Sequence, residues 1–270
     1  MCICLFIAPT ASSETIHYRT LPSPVIEKRL AAFGKTNAAR QEILRGLFTE
    51  AGCVGSHITD QSVKEAKVPN LICILPGEME ATIITGAHFD FVNEGKGVVD
   101  NWSGASMLPS LFESLKSVPR RHTFVFIGFT DEEKGLVGSK SYLKQLGKED
   151  QRKISAMVNL DSLGTSTTKL ETDRGDKRLA GALAAVAATF KLPISVVNAH
   201  NVGRSDSDSF QDKKIPTINL HSMTNETIRI IHSPRDQMEA VHMDEYYDSY
   251  RLIAAYLAYL DVKFDPASAP

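Results

Sequence analysis

Six short apolar runs bounded by Gly, Pro or polar residues punctuate the chain from Asn70 onward: Leu71–Leu75, Thr82–Thr85, Thr123–Phe129, Ala156–Leu160, Ile194–Val197 and Ile215–Leu220. Runs of this length read as strands buried on both faces. Between them, Trp102–Lys116, Gly135–Gln145, Lys177–Phe190 and Asp206–Asp212 read as helices. Two more helices flank the alternating region. One spans Asn37–Gly52, with Ile43, Leu44, Leu47, Phe48 and Ala51 on one face and Gly52 as its stop. The other spans Met243–Val262, where Tyr246, Tyr250, Ile253, Tyr256, Leu257 and Leu260 recur at helical spacing and read as a core stripe. Strand and helix alternate, so the chain is expected to be an α/β protein: a mostly parallel twisted sheet with helices on both faces.

At 270 residues and 43% hydrophobic content there is material for one large core. No repeat, low-complexity segment or linker divides it, so residues 14–270 are expected to form a single domain. Thirty Lys and Arg against 32 Asp and Glu give a net charge of −2, which provides no global field for nucleic acid or an anionic membrane. No apolar run is long enough for a membrane-spanning helix. Cys2 to Ala8 are apolar and precede Thr10, Ala11, Ser12 and Ser13. Residues 1–13 therefore read either as a truncated signal peptide or as a disordered start. Cys53 and Cys73 belong to no Cys-x-x-Cys pair, which excludes a zinc knuckle. They read either as one disulfide or as two separate buried thiols, and pairing would favour export to a periplasmic or extracellular space.

Ligands of an open parallel sheet bind beyond the carboxyl ends of its strands. The run at Thr82 leads into His88-Phe89-Asp90, and Asp100-Asn101-Trp102-Ser103-Gly104 precedes the next helix. The run at Thr123 ends in Asp131-Glu132-Glu133, the run at Ala156 in Asn159-Leu160-Asp161, and His232 follows late in the chain. Singly, each has an ordinary reading as a helix cap, a solvated turn or a structural histidine. Together they place two imidazoles and several acids where they can converge.

Clustered carboxylates repel unless cations compensate, and His with Asp and Glu is a zinc donor set. A catalytic zinc takes about three protein ligands, so two that share a bridging carboxylate take about five. His88, Asp100, Glu133, Asp161 and His232 are that many. Asp90, two residues after His88, is placed to orient its imidazole. Glu132, beside a ligand without being one, is the candidate general base.

These segments, in this order, resemble the co-catalytic zinc aminopeptidases of metallopeptidase family 28, the bacterial leucyl aminopeptidase type, from about Asn70 to Leu260. His88-x-Asp90, Asp100-Asn101-x-Ser103-Gly104, Glu132-Glu133-x-Gly135-x-x-Gly138-Ser139, Asn159-Leu160-Asp161 and His232 with Asp236 carry the likeness. The resemblance implies a three-layer α/β/α sandwich and two zinc ions per chain. It makes Asp100 the bridge, with Glu133 and His232 on one metal and His88 and Asp161 on the other. Glu132 is implied as base, Asp90 as the partner of His88, and a peptide with a free N-terminus as substrate.

Many members carry Tyr before the last histidine, and here that position is Ile231. Glutaminyl-peptide cyclotransferases resemble the same family, with one zinc at the positions of Asp100, Glu133 and His232, and are the alternative. A catalytically dead relative is a third reading, disfavoured because the ligands and the base are all present. Ser205 to Phe210 aligns loosely with an Asp-containing family segment and reads equally well as a helix cap. Gly34-Lys35-Thr36 fails as a phosphate loop because Arg29 stands where its first Gly is needed.

Overall fold

The computed structural model describes residues 16–171, 175–197 and 203–264. The signal-peptide reading of residues 1–13 lies outside the described residues, as does His200. In chain order the elements are α1 (Ser23–Ala31), α2 (Asn37–Ala51), β1 (Ile58–Gln61), β2 (Asn70–Leu75), β3 (Thr82–His88), α3 (Ser103–Leu115), β4 (Thr123–Phe129), α4 (Val137–Gln145), α5 (Lys148–Arg152), β5 (Ile154–Leu160), β6 (Lys169–Glu171), α6 (Lys177–Phe190), β7 (Ser195–Val197), α7 (Asp206–Gln211), β8 (Thr217–His221) and α8 (Met243–Lys263).

Eight strands form one sheet in the order β1-β2-β4-β3-β5-β8-β6-β7. The pairs β3–β4, β3–β5, β5–β8 and β6–β7 are parallel, while β1–β2, β2–β4 and β6–β8 are antiparallel. The expected α/β fold is observed, with antiparallel additions at β1, β2 and β6. Alternation along each strand divides the apolar side chains between two layers. Leu71, Cys73 and Leu75 face one core, as do Phe124, Phe126, Ala156, Val158 and Leu160. Ile72, Val125, Ile127 and Met157 face the other. The larger core is closed by α1, α2, α3, α6 and α8, and the smaller by α4 and Phe210 of α7. A slip of one residue in any central strand would exchange these sets, so burial fixes the register.

The tyrosine stripe of α8 is core, as expected: Tyr246, Tyr250 and Tyr256 are fully buried. Their hydroxyls are not idle. Tyr246 Oη donates to Ser103 O at 2.6 Å, Tyr256 Oη donates to Leu179 O at 3.0 Å, and Tyr250 Oη accepts the Leu21 N–H at 2.7 Å. Of the two readings of the cysteines, the bonded one holds: Cys53 and Cys73 form a disulfide between the end of α2 and β2. Among the described residues no helix is long and apolar enough to cross a membrane.

Candidate metal centre

β3 sits between β4 and β5, so successive connections leave it in opposite directions and open a crevice at its carboxyl end. His88 is the last residue of β3, Glu132 and Glu133 follow β4, and Asp161 follows β5. Asp100 lies in the turn entering α3, after Gly97 at φ 53° and just before a cis peptide to Asn101.

Asp100 is the centre of the cluster. Its Oδ1 lies 3.3 Å from His88 Nε2, and its Oδ2 lies 3.1 Å from Nε2 of His232. Behind His88 stands Asp161, with Oδ1 3.7 Å from Nε2. Behind His232 stands Glu133, both of whose oxygens lie 3.1 Å from Nε2. One carboxylate thus faces two imidazole–acid pairs, one with each oxygen. Donor atoms of His88, Asp100 and Glu133 all fall within 4.8 Å of one another, close enough to hold one ion together.

Backbone contacts fix this arrangement. Asp90 accepts the N–H groups of Glu132 (3.0 Å) and Glu133 (3.2 Å). Its Oδ1 is also 3.3 Å from His88 Nδ1, at an angle that makes no hydrogen bond. Asp236 accepts the N–H groups of Val99 (2.7 Å) and Asp100 (3.2 Å). Asn101 ties the Asp100 turn to the end of β5: its Nδ2 donates to Leu160 O, and its Oδ1 accepts from Gly104 N and Ser162 N. A Cβ on Gly104 would stand 2.6 Å from both Asn101 Oδ1 and Leu160 O, so only glycine fits there. Left-handed backbone clusters at the same place, at Asp131 (φ 50°), Ser162 (φ 61°) and His232 (φ 52°). Such conformations persist in non-glycine residues when their surroundings over-determine them.

Arg40, which the sequence did not single out, supports the site from behind. Its fully buried guanidinium donates to the carbonyls of Gly34, Phe89, Lys96 and Gly97, and it lies 4.1 Å over the Phe91 ring. It thereby joins the His88 and Asp100 loops. Burial lowers its pKa to about 10, against the pull of Asp236, Asp90 and Asp100.

The charge balance fits a metal cation. Burial pushes Glu132 up to about 9, and Asp206, Asp161 and Glu133 add to it against the field of His88. Burial and the Asp100 charge raise Glu133 to about 7. Burial opposes ionisation of Asp100 too, yet His232 and His88 hold it well below the usual carboxylate range. His232 is raised to about 9, chiefly by its hydrogen bond to Asp100. Burial works against a proton on His88, but Glu132, Asp100, Asp161 and Asp90 together raise it well above its ordinary value. The field that favours protons on these imidazoles would equally favour a divalent cation between them, and the donors are those zinc takes.

Two buried acids outside the expected ligand set share the field of the cluster. Asp236 is raised to about 6 by burial, despite its N–H contacts. Asp206 was open to reading as a cap; Ser205 and Asp206 do begin α7, but the Ser205 side chain makes no capping bond. Asp206 is buried, and burial raises it to about 7 against the pull of His88 and the Ser139 hydroxyl, with Asp90 and Asp161 adding. Of the remaining histidines, His122 is held by Asp261, while His221 lines the cleft with Ile231.

Fold and site together define a three-layer α/β protein with a histidine–carboxylate cluster, able to hold a metal ion, at the carboxyl edge of its sheet. The model of Peptidase family M28 matches residues 70–257, and the chain belongs to that family. It is 29% identical over 177 residues to aminopeptidase YwaD of Bacillus subtilis, a match covering 63% of this chain and 39% of that protein. Leucine aminopeptidase 1 of Ajellomyces capsulatus is 26% identical over 280 residues, covering 87% of this chain and 71% of its own. The chain spans about two fifths of the length of YwaD and of leupeptin-inactivating enzyme 1 of Streptomyces exfoliatus. Among solved structures, BSAP, a zinc aminopeptidase from Bacillus subtilis, superposes with a TM-score of 0.65 at 24% identity, over 75% of this chain and 52% of that one. An Acidobacteriales bacterium glutaminyl cyclase superposes with 0.74 at 12% identity, over 95% and 99%. At these identities both show the fold alone.

Proposed function

We propose that the chain is a zinc-dependent aminopeptidase that removes the first residue from peptides with a free N-terminus. The observation that carries the two-zinc form of this reading is Asp100, whose oxygens are turned to separate pairs, His88 with Asp161 and His232 with Glu133. Asp100 would bridge two ions, each held further by one pair. Zinc bound there supplies Lewis-acid polarisation of the scissile carbonyl, acidifies water and lowers neighbouring carboxyl pKa values by its own charge.

Glu132 holds its side chain in the cleft without joining either pair. Its carboxylate takes the proton of the attacking water and returns it to the departing amine nitrogen. Asp90 keeps Glu132 and Glu133 in register through their N–H groups and sets its negative charge 3.3 Å from His88 Nδ1. The structural likeness to glutaminyl cyclases keeps the one-zinc cyclisation reading in play, but His88 and Asp161 beside Asp100 support two ions. Export is also proposed, supported by the Cys53–Cys73 bond, since disulfides persist in oxidising compartments.

The test is zinc analysis of the purified protein coupled to turnover of peptides with free and blocked N-termini. Two zinc per chain and release of the first residue from free termini alone are expected. One zinc with closure of N-terminal Gln would replace this reading by the cyclase, and cleavage of blocked peptides would remove the aminopeptidase.

A further inference from the structure

The cleft continues past the metal ligands between apolar walls from Met223, Ile228 and Ile231, and its floor is polar. In the parallel register Asn159 of β5 lies opposite Asn219 of β8. Lys169 and Leu170 of β6 pair with His221 and Leu220, which carries Glu171 alongside Asn219. A row of three polar side chains therefore crosses the sheet. Asn159 Nδ2 donates to Asn219 Oδ1 at 2.8 Å, and Asn219 Nδ2 donates to Glu171 Oε1 at 3.0 Å. His221 Nδ1 accepts the Met223 N–H, which leaves the proton on Nε2, 3.6 Å from Glu171 Oε1.

The row is buried, yet Asn219 and Glu171 line the cleft. Asn159 Oδ1 is buried with no hydrogen-bond partner. Lys169, two residues before Glu171, turns its ammonium away to Ser166 Oγ (2.7 Å) and Thr167 O (3.1 Å). The floor thus presents acceptors and an acid; Arg204 also lines the cleft, and its guanidinium is turned to Asp208 Oδ2 at 3.0 Å. Asn159 lies two residues before Asp161 on the same strand face, so the floor is roughly 7 Å beneath the ligand level. A long unbranched side chain spans that depth.

We propose that Glu171 makes this cleft select a first residue with a cationic side chain, lysine or arginine, over an apolar one; this rests on the aminopeptidase reading above. The apolar walls cover the alkyl stem, as such stems favour, and the carboxyl group at the floor receives the charged N–H donors. An apolar side chain of the same length would cover the Glu171 carboxyl at the cleft floor without supplying a charged donor, which costs binding.

The test measures kcat/KM of the zinc-loaded protein on reporter amides of lysine, arginine, norleucine and leucine, norleucine matching lysine in length without its charge. Lysine and arginine are expected at least about tenfold ahead of norleucine, and Glu171→Gln should reduce the lysine-to-norleucine ratio by about 10- to 100-fold, the range of a hydrogen bond to a charged group. A wild-type preference for norleucine or leucine, or a ratio that Glu171→Gln leaves in place, overturns the proposal. Calorimetric binding of lysinamide against leucinamide reads the floor without turnover. If no amide is hydrolysed while lysinamide binds more tightly in a Glu171-dependent way, the aminopeptidase reading falls and the selectivity stands. Equal binding of the two amides removes the selectivity whatever the turnover.

Discussion

Glu132 differs from the acids around it by what it does not touch. Asp90 is occupied by two backbone N–H groups, and Asp100, Asp161 and Glu133 face imidazole nitrogens. Glu132 alone of these lines the cleft without facing an imidazole nitrogen, which is why it is the proposed proton carrier. Glu132→Gln is expected to keep its zinc and lose about 10²–10⁴-fold in kcat, measured by steady-state kinetics beside metal analysis; near-wild-type turnover would take Glu132 out of the mechanism. Arg40 acts on the fold of the site. Arg40→Met strands the buried carbonyls of Gly34, Phe89 and Gly97 and should cost at least about 3 kcal/mol; Arg40→Lys should recover little, because one ammonium lacks the guanidinium fork. Urea unfolding of the two variants checks this. The ligand segments were legible because each lies in a short contiguous motif at a strand end. Arg40 was not, although a signal existed: the apolar stripe Leu44, Leu47, Phe48 and Ala51, extended back one turn, lands on Arg40. Asp206 was hidden because an Asp beside Ser at a helix start reads equally well as a cap, and only burial beside Glu132 separates the two.

At the level of elements, long apolar segments were legible and short polar ones were not. The strand expected at Thr123–Phe129 and the helix at Lys177–Phe190 are observed with those bounds, because each buries apolar side chains over its whole length or along a full stripe. β1 and β6 were missed: Ile58–Gln61 is half exposed, and Lys169–Glu171 has three residues with a charge at each end. Their strand form comes from pairing with β2 and β8, a non-local cause. The same short β6 carries Glu171. β1 pairs with the strand that holds Cys73, next to the disulfide. Cys53 and Cys73 are 20 residues apart, so removing the bond by the Cys53→Ser, Cys73→Ser pair should lower stability by about 3 kcal/mol through the freedom returned to the unfolded chain. The bond lies away from the acid cluster, so zinc content should be unchanged. A urea midpoint insensitive to the double substitution would show that α2 and β2 are held by packing alone.

Over the whole molecule, the site concentrates negative charge that the fold must carry. Glu132 (about 9), Glu133 (about 7), Asp206 (about 7) and Asp236 (about 6) all have folded pKa values above the 3.8 to 4.5 of free carboxyls. Between those limits the folded chain binds more protons than the unfolded one, so their contribution is full below the free-carboxyl range and is lost as pH rises through 6 to 9. His232, raised from 6.5 to about 9, and His88 have the same sign. Asp100 has the opposite sign, because its lowered pKa loses stability only in acid. In the presence of chelator, the urea midpoint is therefore expected to fall steadily from pH 5 to pH 9. Zinc reverses the linkage, since its ligands bind deprotonated and release protons on loading, so the midpoint with zinc should hold or rise between pH 6 and 8. The two curves should separate most on the alkaline side. A chelated protein that grows more stable toward pH 9 would mean that these acids do not share one buried field, and the case for a shared cation site would fail with it.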